Sequence, residues 1–149
     1  MSTIGQLSTA IYRNMQILLG NRLANLDIKN GQYDFLYVIS LEQGITQTQL
    51  SAHLRIGKST TAKAVKNLVG KGYVEKRKSE TDARVDHLYL TERGREIAPC
   101  VAEIFRENLS VAARGLSKAQ QAQLLELMDI VLQNLVTENS AHAEGSTHE

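Results

Sequence analysis

A chain of 149 residues that is 42% apolar, with a formal net charge of +1 and a single cysteine, has the size of one domain with its own core. It cannot close an intrachain disulfide. No apolar run approaches the roughly 18 residues of a membrane span, and no secretory leader precedes the first helical pattern, so a soluble protein of a reducing, cytoplasmic compartment is expected. One proline, and glycines that fall mostly between periodic segments, make helix the dominant element. The small net charge hides an uneven distribution. Residues 57–95 hold ten basic and five acidic side chains, a local +5, and the remainder carries −4. A basic segment on a near-neutral chain is a footprint for a polyanion, although a solvated helix face would look the same.

Residues 3–26 place Ile4, Leu7, Ile11, Met15, Leu18, Leu19, Leu23 and Leu26 at steps of three and four, the period of an amphipathic helix. Such a long helix at the start of a chain needs a surface to pack on, and a second subunit is one option. Asn30 is placed to cap a second helix that runs to about Glu42, with Tyr33, Leu36, Tyr37 and Ile39 as its buried stripe. Gly44 can end it in the left-handed conformation. Thr46 and Gln49 have capping-box spacing at the start of a third helix, which turns Leu50 and Leu54 inward. Arg55, Ile56 and Gly57 make a tight turn, with Gly57 expected to relax the backbone. The fourth helix follows, over 58–69, burying Thr61, Ala64, Val65 and Leu68 and presenting Ser59, Thr60, Lys63, Lys66 and Asn67.

Two strands come next, at 73–78 and 85–90, with Leu88 and Leu90 on one face and Val85, His87 and Tyr89 on the other. A polar tip at 79–84 joins them. Thr91 can cap a fifth helix whose stripe is Ile97, Val101, Ile104, Phe105 and Leu109, and Pro99 inside it should bend it. Ser117 and Gln120 repeat the capping-box spacing before a sixth helix carrying Leu124, Leu127, Met128, Val131, Leu132 and Leu135. Residues 139–149, small and polar, are expected to form a flexible tail. The fold class that emerges is mainly α with a small two- or three-stranded antiparallel wing. A helix pair of this kind can set its second helix in a DNA major groove, with the ribbon reaching backbone or minor groove.

The order helix, turn, helix, ribbon, followed by Asp82-Ala83-Arg84-Val85-Asp86-His87-Leu88-Tyr89-Leu90-Thr91 and then Glu92-Arg93-Gly94, resembles the MarR family of winged helix-turn-helix regulators. The family's wing reads roughly D-x-R-x-x-x-L-x-L-T, then an acidic residue and a glycine. Val85 stands where many relatives carry a second basic residue. The resemblance covers about residues 5–136. It implies a single MarR-like domain over 1–149, with a winged helix-turn-helix lobe at 30–91 and dimerisation helices at 3–26 and 92–136. It also implies a homodimer on double-stranded DNA, a pseudo-palindromic operator with half-sites about one helical turn apart, and a repressor released or tightened by a small-molecule effector. The effector would sit where the dimer helices meet the lobe, with Tyr12, Tyr33, Tyr37 and His87 as candidate lining. Aromatics at helical spacing are more often plain core.

Ser59, Thr60 and Lys63, near the start of the fourth helix on its outward face, are the candidates for base contacts, and Lys58 and Lys66 for phosphate. A simple helix-start role is the competing reading for Ser59. Thr46 and Gln47 could bind backbone phosphate, though capping claims Thr46. Arg84 could enter a narrow minor groove with Asp82 orienting its guanidinium; the alternative is a surface pair that only stiffens the tip. Lys76 and Lys78 alternate onto one face of the first strand and are expected on phosphate. Cys100 reads as a buried, inert thiol, since redox-sensing relatives carry theirs near the first helix. His53, His87, His142 and His148 lack metal-ligand spacing, and no cofactor motif or catalytic constellation is present, so neither metal, cofactor nor enzyme activity is expected. A winged module that contacts protein or RNA, with no operator, remains the other reading of this fold.

Overall fold

The computed structural model describes residues 1–145. Among them lie six helices and a three-stranded antiparallel sheet, in the order α1 (Ile4–Leu23), α2 (Asn30–Leu41), β1 (Ile45–Thr46), α3 (Gln47–Leu54), α4 (Lys58–Gly70), β2 (Val74–Lys78), β3 (Asp86–Leu90), α5 (Glu92–Ala112) and α6 (Lys118–Gly145). The chain divides into two units, Met1–Leu109 and Ser110–Glu149. No helix among the described residues is long and apolar enough to cross a membrane.

The first unit is built around α2, which packs on α1, α3, α4 and β3. That central place explains why its burial exceeds the expected stripe: Gln32, Phe35 and Val38 are buried with Tyr33, Leu36 and Ile39, while Tyr37 is half-buried. Leu36, Ile39, Leu50, Val65, Leu68, Val74, Leu88 and Val101 are fully buried, and each contributes about 1.5–3 kcal/mol relative to exposure. Strand β3 is the middle of the sheet, pairing β2 with Val74 opposite Leu90 and Lys78 opposite Asp86, and pairing β1 with Ile45 opposite Leu88. Leu88 and Leu90 face the core, as their alternation predicts.

Local chemistry sets most element ends. Thr46 and Gln49 close a reciprocal capping box, and Ser117 and Gln120 make the same pair of bonds before α6. Thr3 and Gln6 add one at α1. Helix α4 ends in a Schellman closure: Tyr73 N–H donates to Leu68 O and Gly72 N–H to Val69 O, with Gly72 at φ +78°. Thr91 caps α5 by accepting from Gly94 N–H at 3.1 Å. Gly94 is there for space. A Cβ on it would lie 2.1 Å from the Tyr73 carbonyl oxygen, so only glycine lets α5 start this close to the end of α4.

Four expectations need correction. Lys29, not Asn30, is the N-cap of α2; the Asn30 amide donates instead to Gln16 O at 2.9 Å and Gln16 Oε1 at 3.0 Å, tying α2 back to α1. The left-handed residue in the α3–α4 turn is Arg55 (φ 53°), and Gly57 is extended. Cys100 is exposed, because the buried line of α5 runs Gly94, Val101, Ile104 and Asn108 and leaves Cys100 on the outer side. Residues 139–145, expected to be a flexible tail, continue α6; no helix breaker interrupts them before Gly145, and an i,i+4 pair of Glu138 and His142 at 3.3 Å supports the turn. The rest of that tail, 146–149, lies outside the described residues.

The exposed apolar side chains fall on particular helices. In α1 only Leu19 and Leu23 are buried, and Ile4, Leu7, Ile11 and Met15 are open. In α6, Leu124, Leu125, Leu127, Met128, Ile130, Leu132, Leu135 and Val136 are exposed.

Candidate nucleic-acid interface

Helix α4 keeps its apolar side inward and its polar side out. Thr61, Ala64, Val65 and Leu68 are buried, whereas Lys58, Ser59, Thr60, Lys63 and Lys66 are all exposed. No side chain caps its start, so its leading N–H groups are left for solvent or an anion. Ser59, Thr60 and Lys63 therefore share the exposed face and N-terminal half of a helix whose positive end is open.

A buried hydroxyl pair holds this helix against α3. Ser51 Oγ and Thr61 Oγ1 lie 2.7 Å apart, and Thr61 Oγ1 also donates to Gly57 O at 3.1 Å. Both groups are out of water, where an unmatched hydroxyl costs about 1–3 kcal/mol, so the pair fixes the approach of the two helices at one point. The sequence reading had Thr61 inward but missed Ser51; the available signal was a hydroxyl next to Leu50 in a helix too short to bury much else.

The wing tip presents Arg84, whose side chain is 90% exposed. Asp82 holds it at three points: Oδ1 accepts from Arg84 N–H at 3.0 Å and Nε at 3.1 Å, and Oδ2 from Nη2 at 3.3 Å. The guanidinium beside Asp82, together with the Arg84 backbone N–H, keeps that carboxyl below its usual range. Asp82 thus stays ionised, and Arg84 is aimed while it remains almost wholly accessible. Of the two lysines on the first wing strand, Lys76 is exposed and Lys78 makes a cross-strand pair with Asp86 at 3.1 Å. Arg77, which no expectation above singles out, places its Cζ over the Tyr89 ring, 4.2 Å from the centroid, and pairs with Glu75. Thr46 is occupied in its capping box, with Gln47 half-buried beside it.

The four candidate effector-lining residues do not form one group. Tyr33 and Tyr37 meet on Phe105 of α5, Tyr37 stacked at 4.2 Å and Tyr33 tilted at 6.2 Å. Tyr12 is exposed on α1. His87 donates from Nδ1 to Gly44 O at 2.6 Å, at the junction of β1 and β3. Near the aromatic pair, burial pushes the Asp34 carboxyl up, partly offset by a hydrogen bond with Tyr33, and burial likewise raises the Tyr33 phenol. Gln32 Oε1 and Asn108 Oδ1 are buried without a hydrogen-bond partner. Among the described residues no group of three His, Cys, Asp or Glu is placed to hold a metal ion.

Comparison with known proteins agrees with this geometry. The MarR family model matches residues 26–85. The transcriptional regulator AdcR of Streptococcus pyogenes is 32% identical over 114 residues, covering 76% of each chain. A MarR transcriptional regulator from Methanosarcina mazei superimposes with a TM-score of 0.73 and 32% identity, over 90% of this chain and 96% of that one. A Listeria monocytogenes protein of the same family, solved in complex with a 26mer DNA, gives a TM-score of 0.82 at 25% identity, over 93% of this chain and 92% of that one. On sequence and fold together, this chain belongs to the MarR family of transcriptional regulators.

Proposed function

We propose that the protein binds double-stranded DNA as a homodimer and acts as a ligand-responsive repressor at a pseudo-palindromic operator. The observation that carries this is the pairing of an exposed, basic, open-ended face on α4 with an exposed arginine held in aim at the wing tip. Ser59, Thr60 and Lys63 read bases in the major groove; Lys58, Lys66 and Lys76 contact phosphate; Arg84, oriented by Asp82, reaches the minor groove. Lys78 joins the phosphate contacts once DNA competes with Asp86 for it. The Listeria relative's complex with DNA supports the same use of the fold. Such a regulator works where the DNA is, in the cytoplasm.

The homodimer is supported by the exposed apolar residues of α1 and α6, which a second copy would cover. Two-fold symmetry then sets half-sites about 10 base pairs apart. Effector control would act by changing the separation of the two α4 helices, because a ligand that binds one separation better shifts the population toward it. Tyr33 and Tyr37, packed on Phe105, give the aromatic part of that effector site; Tyr12 and His87 would join it only in the assembled dimer.

The test is a titration of the protein against its own upstream DNA and against random duplex at several salt concentrations. Specific affinity should exceed random affinity by about a thousandfold or more, and both should fall steeply with salt. A ratio below about 10 would remove the operator reading and leave the fold as a protein- or RNA-binding module.

A further inference from the structure

We propose that Asp27, in the segment between α1 and α2, is a positioning residue that sets the bearing of α4 on DNA. The proposal rests on the DNA-binding reading above. Lys71, the C-cap of α4, donates from Nζ to Asp27 O at 3.1 Å and Asp27 Oδ1 at 3.2 Å, and its side chain is three-quarters covered. The other carboxylate oxygen of Asp27 lies 3.5 Å from Nη2 of Arg93, in the first turn of α5. Arg93 is itself fixed, with its guanidinium 4.7 Å over the Tyr73 ring and Nη2 3.3 Å from the Tyr73 hydroxyl. One carboxylate therefore joins three parts of the chain: the α1–α2 segment, the end of α4 and the start of α5.

Ala64, Val65 and Leu68 seat α4 on the core, and polar contacts toward its two ends trim its direction. The hydroxyl pair Ser51–Thr61 fixes α4 near its N-terminus, and Asp27 fixes it at Lys71. The two points are about 15 Å apart along the helix, so a 1 Å release at Lys71 tilts the rod by about 4°. Without the carboxylate, Lys71 and Arg93 also lose the anion between them, and their mutual repulsion favours such a release. In the proposed dimer the tilt occurs twice, and it changes the angle of each α4 in its major groove, swinging Lys66 more than Ser59, Thr60 and Lys63, which lie closer to the pivot at Thr61.

The charge change and the positioning effect have opposite signatures. Removing an acid from each subunit raises affinity for any duplex through the phosphate term. A loss of bearing lowers affinity only for the operator. The experiment compares wild type, Asp27→Asn, Lys71→Gln and the double variant by fluorescence anisotropy at fixed salt, with the upstream operator and a random duplex of equal length. Each single change should lower the ratio of specific to random affinity by about threefold or more, and the double variant should lose no more than either single. Random affinity of Asp27→Asn should be equal to wild type or higher, which separates the effect from partial unfolding. An unchanged ratio, equal gains on both duplexes, or single losses that multiply in the double variant would each overturn the proposal. A wild-type protein that does not discriminate the operator would remove the DNA reading and this proposal with it, and that result is visible before any variant is compared.

Discussion

Gly94→Ala tests whether the glycine after the wing motif is a spacing device. The added Cβ would sit 2.1 Å from the Tyr73 carbonyl oxygen and 3.3 Å from Leu90 Cδ2. A backbone oxygen cannot swing aside as a side chain does, so either α5 or the α4–β2 junction must move by about 1 Å to restore ordinary contact, which costs about 1–3 kcal/mol. The same oxygen accepts from Thr91 N–H at 3.1 Å, and straining that bond adds about 1 kcal/mol. Against this stands the better helix propensity of alanine, about 1 kcal/mol in its favour. Steric cost wins, and the net is a destabilisation of about 2 kcal/mol, or a fall in Tm of about 4–8 °C. The measurement is thermal unfolding by circular dichroism at one protein concentration, since a dimer's Tm depends on it. An alanine variant as stable as wild type, or more stable, would refute the close approach and return Gly94 to the ordinary ranking of helix formers.

Other perturbations separate the roles assigned at the interface. Arg84→Ala should weaken operator binding by about 1–3 kcal/mol with unchanged circular dichroism and gel-filtration profile; unchanged affinity at fixed salt would reduce Arg84 to a partner for Asp82. Lys66→Ala should weaken specific and random duplex by equal factors and flatten the salt dependence by about one counterion per lysine lost, whereas a loss confined to the operator would move Lys66 to base reading. Asp34→Asn should stabilise the protein at neutral pH. Burial holds the Asp34 carboxyl above its ordinary value, so the stability from its protonation is full below the unfolded-state pKa and is lost as pH rises through the folded one. The variant's advantage in urea unfolding should therefore grow from acid to neutral pH, and an advantage that shrinks over that range would contradict the burial argument.

What could be read in advance was what depends on neighbours in the chain. The buried line of α4 follows from a period of 3.6, and the capping boxes at Thr46 and Ser117 need only a spacing of three. Asp82 and Arg84 are two residues apart on a tight tip, so their pairing was visible too. Contacts set by the path of the whole chain were not. Lys71 and Asp27 are 44 positions apart, and nothing local to either marks the other. Ser51 and Thr61 are ten apart, across a turn whose angle decides whether two hydroxyls meet or face water. The exposure of Cys100 is not legible for a related reason: where relatives place a reactive cysteine says nothing of the phase of α5, whose buried line through Gly94, Val101, Ile104 and Asn108 leaves Cys100 outside. Composition alone predicts a flexible tail, but over 139–145 short polar residues at the end of a helix already formed extend it at little cost.

The same split between local and distant governs the proposed activity. On that proposal, which bases are touched would be written in a few exposed side chains of α4 and the wing. Where those side chains sit on DNA depends on how a second copy packs. Six exposed large apolar residues on α1 and eight on α6 are on average about half exposed, so each would gain about 1 kcal/mol on burial, and a two-fold interface that covers all of them gains on the order of 30 kcal/mol gross. Association costs about 4–15 kcal/mol. The α1 residues alone, at about 12 kcal/mol for two copies, fall inside that range and leave little surplus. With α6 included the balance is favourable. A regulator built this way does not need its effector near the bases. In the proposed regulator a ligand that favours one packing of the two copies would suffice, since α1 packs on α2 and α2 on α4, so a shift of α1 would be passed to the α4 helices.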